Sequence, residues 1–152
     1  QAAREEVENH LNRALITQTW EKYLDAFPCA IQLFNPPVIA ITHIKYVDTA
    51  GVLQTLASTD YALDDKQEPA WIVPAYGNAW PATRDEINAV TVRFTCGYGA
   101  DGSAVPAAIK RWMLVRIGTF YEHRQEFLAG GTVGRYDHVD RSIDRYRLAY
   151  QP

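Results

Sequence analysis

The chain has 152 residues, 47% hydrophobic and 22% charged, which is the size and balance of one globular domain with a true core. Its 15 Lys and Arg against 18 Asp and Glu leave a formal charge of −3, which excludes the basic stripe of a protein that holds duplex DNA by displacing counterions. The imbalance is uneven, because residues 1–100 carry 7 basic and 12 acidic side chains (net −5) whereas residues 101–152 carry 8 and 6 (net +2).

Over the first residues, Ala3, Val7, His10, Leu11 and Ala14 recur at three- and four-residue steps while Glu5, Glu6 and Glu8 fill the outer face. That spacing predicts an amphipathic helix over 1–14. Short extended segments follow in "LITQTWEKYL", in "AIQLF" up to the Asn35-Pro36-Pro37 breaker, and in "VIAITHIKYV", which Asp48-Thr49-Ala50-Gly51 turns back into "VLQTL". "DYALDD", "AWIVPAYG" and "AVTVRFTCG" continue the series, so residues 15–99 are expected to form a small antiparallel sheet. In the last of these, Val90, Val92, Phe94 and Cys96 alternate with Thr91, Arg93 and Thr95, the pattern of a half-buried strand with an outward polar face.

The period then changes. Pro106 suits a first helical turn, and a long helix is expected over 105–129. Ile109, Trp112, Met113, Ile117, Phe120 and Tyr121 lie on one side of it and Leu114 and Val115 on another, so burial on more than one face is predicted, either centrally in its own domain or against a neighbouring subunit. Gly130, Gly131 and Gly134 loosen the chain before a tail, 130–152, in which Tyr136, Val139, Ile143, Tyr146 and Tyr150 form a narrow helical stripe. Arg135, Arg141, Arg145 and Arg147 make its polar face basic, and Asp137 and Arg141 are spaced as an i,i+4 pair. This segment is expected to dock on an acidic partner; the alternative is a final core helix packed on its own domain. The fold class is α+β, in one domain over 1–152.

Chemistry has few carriers. Cys29 and Cys96 are far apart without CxxC spacing, so two reduced thiols are expected. There is no apolar run of about 18 to 20 residues, no signal sequence and no N-x-[ST] acceptor, which favours a cytosolic origin and no membrane partner. His123, and His138 between Asp137 and Asp140, lack further ligands at metal-site spacing, and His10 and His43 read as surface or rim residues. No GxSxG, P-loop, GxGxxG or HExxH pattern occurs, so no catalytic residue, metal or cofactor is expected. Arg84, Asp85 and Glu86 read as a solvated charge cluster. Tyr76, Trp80, Pro81 and Arg84 form a contact-loop candidate built on a rigid Trp-Pro pair, with Trp80 folded back as a lid on the core as the alternative.

The ordered series "RALITQTWEKYLDAFP", "LFNPPVIAITHIKYVDTAGVLQTL", "IVPAYGNAWPATRDEINAVTVRFTCGYG" and "VPAAIKRWMLVRIGTFYEHRQ" resembles the head-tail connector (adaptor) family of tailed phages and prophages, whose members are often labelled possible DNA-packaging proteins. Gene transfer agents use related parts. The resemblance covers about Asn12 to Gln125; the chain opens without the leading helix usual in the family, and its ending after Gly131 departs from the family pattern. It implies a small helical bundle with an inserted antiparallel β-sheet portion, in a virion protein made in the bacterial cytoplasm that assembles with itself into a ring of about twelve subunits. The ring would bind the portal on one side and a tail-side stopper or terminator protein on the other, and DNA would pass through it without specific binding. The interface candidates are then Tyr76, Trp80, Pro81 and Arg84 in the loop, and Arg135, Tyr136, Arg141, Ile143, Arg145, Tyr146, Arg147 and Tyr150 in the tail. The competing reading is a carbohydrate- or receptor-binding β module that stacks sugars on Tyr76, Trp80 and Tyr98.

Overall fold

The structure, a computed structural model, describes residues 2–122 and 141–148. Helix α1 (Ala2–Leu11) buries Ala3, Val7 and Leu11, one residue per turn on one face. It stops where Asn12 adopts the left-handed conformation (φ 54°), and the Arg13 N–H returns to the Glu8 carbonyl at 3.2 Å. This closure leaves α1 shorter than the expected 1–14. Glu8 does not face outward as expected. Its Oε1 accepts hydrogen bonds from the Leu15 N–H (2.9 Å) and Gln18 Nε2 (2.7 Å), fastening the helix to the chain that leaves it.

Seven strands follow: β1 (Gln18–Leu24), β2 (Ile31–Gln32), β3 (Val38–Val47), β4 (Leu53–Thr55), β5 (Tyr61–Asp64), β6 (Trp71–Pro74) and β7 (Val90–Cys96). They form two antiparallel sheets, in the orders β1-β7-β3-β4 and β2-β6-β5, rather than the one sheet expected. Pro36 and Pro37 interrupt the chain between β2 and β3, and β2 pairs with β6, Ile31 opposite Ile72 and Gln32 opposite Trp71. The expected β3–β4 hairpin forms with Val47 opposite Leu53. In β7, Val90, Val92, Phe94 and Cys96 are buried, and Thr91, Arg93 and Thr95 look outward as the alternation predicts.

The two sheets close one core, with Ile31, Leu33 and Ile72 from the second meeting Ile44, Val90, Val92 and Phe94 from the first. Each such side chain contributes about 1.5 to 3 kcal/mol of burial free energy. A second core joins Val7 and Leu11 of α1, Leu15, Val105, Ile109 and Trp112 to Ile143. Ile109 and Trp112 belong to α2 (Ala107–Glu122), whose first N–H bonds run to the Pro106 carbonyl. Between the cores the chain passes itself closely at Gly97 (φ 125°), where a Cβ would lie 2.5 Å from the Ile16 carbonyl oxygen.

Candidate interaction surface

The tail candidates divide. Arg135, Tyr136 and Tyr150 lie outside the described residues, as do His123, His138 and the Asp137 partner of Arg141. Ile143 is fully buried among Leu11, Ile109 and Trp112, which corrects its expected role as a docking residue. Beyond it the short 3-10 turn η1 (Asp144–Tyr146) carries Tyr146, which packs half-buried against the same cluster. Arg145 lies over the Tyr146 ring at 4.7 Å and donates to its hydroxyl at 2.7 Å, while Arg141 and Arg147 are exposed.

The anchor of this segment is a residue that sequence reasoning missed. Arg13 is buried, donates from Nε to the Tyr146 carbonyl and pairs with Glu68. Asn12 Nδ2 donates to the Leu148 carbonyl (3.1 Å), and the Leu148 N–H donates to the Leu11 carbonyl (3.1 Å). Burial disfavours the Arg13 charge, but the Glu68 carboxylate and Tyr98 more than offset this, so the guanidinium is held above its ordinary range. One cation thus ties the end of α1, the β5–β6 loop and the tail. Nothing in "LNRALI" separates it from a surface arginine, because its partners are 55 and 133 residues away.

In the loop, Trp80 is the lid rather than an outward contact. Its ring stacks on Phe27 at 4.8 Å and 8°, and its indole N–H reaches the Cys29 carbonyl at 3.4 Å. Pro81 is half-buried beside it, and Arg84 is exposed with Nε 3.5 Å from Glu86. Tyr76 stands fully exposed on a turn closed by the Asn78 N–H to the Ala75 carbonyl (2.9 Å). Tyr98 packs against the helical core beside Arg13. Trp80 and Tyr98 are thus engaged, on Phe27 and in the helical core, and of the three proposed stacking residues Tyr76 alone stands free on the surface.

The larger apolar surface is on α2. Its inner face is buried, but Leu114, Ile117 and Tyr121 are 69%, 53% and 72% exposed, at helical steps of three and four. Within the described residues its own domain covers one face of α2 and leaves the other open, so the first of the two expected alternatives, burial of both faces inside the domain, is not what forms. Arg116 extends over the Trp112 ring at 5.0 Å and pairs with Glu6 at 3.2 Å, locking α2 to α1 beside this stripe. Among the described residues no group of three or more His, Cys, Asp or Glu gathers as a metal site, and no helix is long and apolar enough to cross a membrane.

This arrangement defines an α+β protein with two cores and an exposed helical stripe. Among solved structures it is similar to chains of gene transfer agent particles. The chain is similar to a chain in the virion of a native gene transfer agent particle at 25% identity and TM-score 0.79, covering 99% of this chain and 75% of that one. It is similar to a chain in the neck of an empty particle computed with C6 symmetry (26%, TM-score 0.76, 99% and 75%). It is also similar to one in the neck of a native particle computed with C12 symmetry (26%, TM-score 0.72, 99% and 80%). These likenesses support a neck-type structural protein. No family model matches the chain, and no curated protein matches it.

Proposed function

We propose that the protein is a structural subunit of the neck of a phage-like particle, repeated as a ring of about twelve copies that joins the portal to the tail and extends the DNA channel. The observation that carries this reading is the likeness over 99% of the chain to particle chains, two of them from necks treated with sixfold and twelvefold symmetry. The exposed stripe on α2 agrees with it, because a ring subunit needs lateral surfaces that a monomer leaves open. The charge agrees as well: a wall past which DNA slides is served by a chain of net −3. In this reading the subunit holds the portal above and a stopper or terminator protein below, and catalyses nothing. The test is deletion of the gene in the producing cell. Heads without tails, restored to tailed particles by a plasmid copy, are expected; normal tailed particles from the deletion strain would refute the proposal.

A further inference from the structure

The first sheet has two chemically different ends. At one, Gln18 and Val38 lie opposite Cys96, and the chain passes directly into the helical core through the Tyr98 N–H to Leu15 carbonyl bond. At the other, Leu24 and Tyr46 lie opposite Val90, Asp48 bridges to Thr83, and the Val47 N–H donates to the Ala89 carbonyl. Strands of 7 residues separate the ends, a span of about 20 Å. The helical end presents the Leu114, Ile117 and Tyr121 stripe with Arg111 exposed beside it. The far end presents Leu53 and Ile87, 62% and 81% exposed. Its carboxylates Asp25, Asp48, Asp85 and Glu86 outnumber its cations, Lys45 and Arg84.

Resting on the ring reading, we infer that adjacent copies meet head to tail: the α2 stripe of one lies against the β3–β4 turn and the 83–88 loop of the next. A closed ring requires two different surfaces on each copy, and these two are apolar at the centre, with the exposed Arg111 beside one and an excess of carboxylates around the other. An α2-to-α2 contact would stop at a dimer and set Arg111 facing its own copy. The receiving end is also pre-formed. Asp48 Oδ1 accepts from the Ala50 and Val52 N–H groups, both at 2.9 Å, and Oδ2 from Gln54 Nε2 at 2.9 Å. Gly51 (φ 83°) completes the turn, so little ordering entropy is lost on contact.

Disulfide trapping tests this in a Cys29→Ser background, where the remaining Cys96 is buried. A chain carrying both Ile117→Cys and Ile87→Cys is expected to oxidise into a ladder extending past the dimer, and each single variant to stay monomeric. Arg111→Glu is expected to slow trapping about two- to fivefold, and Asp85→Arg in the same chain to restore it. Circular dichroism on each variant establishes that it is folded. Dimers from Ile117→Cys alone would overturn the inference in favour of a helix-to-helix pair. No ladder from the double variant, with rings of the unmodified protein seen by electron microscopy, would overturn this contact and leave the neck reading intact. Neither ladder nor ring would overturn both.

Discussion

Arg13 is the residue on which the described parts converge, and removing it tests that role. Arg13→Ala leaves the Tyr146 carbonyl and the Glu68 carboxylate without their donor. Glu68 is partly exposed, so solvent recovers some of the loss, and the expected destabilisation is about 1 to 3 kcal/mol by urea unfolding. Trp80→Ala removes the ring stacked on Phe27 and is expected to cost about 2 kcal/mol, less than a fully buried aromatic would. An unchanged unfolding midpoint would return Trp80 to the surface. Cys96 supplies a pH test. Burial, with Glu8's charge adding to it, pushes its thiol up to about 11. The unfolded thiol, at about 8.5, loses its proton first, so unfolding releases a proton above that pH. Stability from this group is complete below about 8.5 and declines as pH rises toward 11. In native protein at pH 8 a thiol reagent should modify exposed Cys29 alone, and both cysteines once denaturant is added.

At the scale of elements, α2 should respond to mutation by face. Ile109→Ala is expected to cost about 2 to 5 kcal/mol, because it opens a cavity beside Trp112, whereas Leu114→Ala should change monomer stability by less than about 0.5 kcal/mol. The tail segment belongs to the same core, so a chain ending before Arg141 should lose Ile143 and melt at a lower temperature. These elements were legible in the sequence to different degrees. The alternation in "AVTVRFTCG" and the turn after Val47 are local signals, and β7 and the β3–β4 hairpin follow them. Which strand pairs with which is decided by contacts far apart in sequence, so the division into two sheets was not readable. Glu8 reads as an outward charge, and Arg13 is not singled out, because helical periodicity carries no sign of a carboxylate turned back onto Leu15 or a guanidinium reaching Tyr146. The tail's three-and-four stripe marked Ile143 as apolar and helical in spacing, but spacing is the same whether the apolar side meets its own domain or a partner.

For the whole molecule, charge and surface set the expectations. A net charge of −3 predicts that duplex DNA binds no tighter than the nonspecific range of about 10⁻⁴ to 10⁻⁶ M at physiological salt, measurable by gel shift, and nanomolar binding would contradict a passive channel wall. In the proposed ring, the exposed stripe on α2 and the acidic apolar end of the first sheet would be the two surfaces that cyclic assembly needs. The central claim is that this chain is a repeated subunit of a particle neck. Cryo-electron microscopy of purified particles from the producing cell tests it most directly. The account predicts that the two-sheet fold with its α2 helix fits density below the head, repeated about twelvefold around the channel. A neck whose density is fully accounted for by other chains, with this protein absent from the particle, would contradict it.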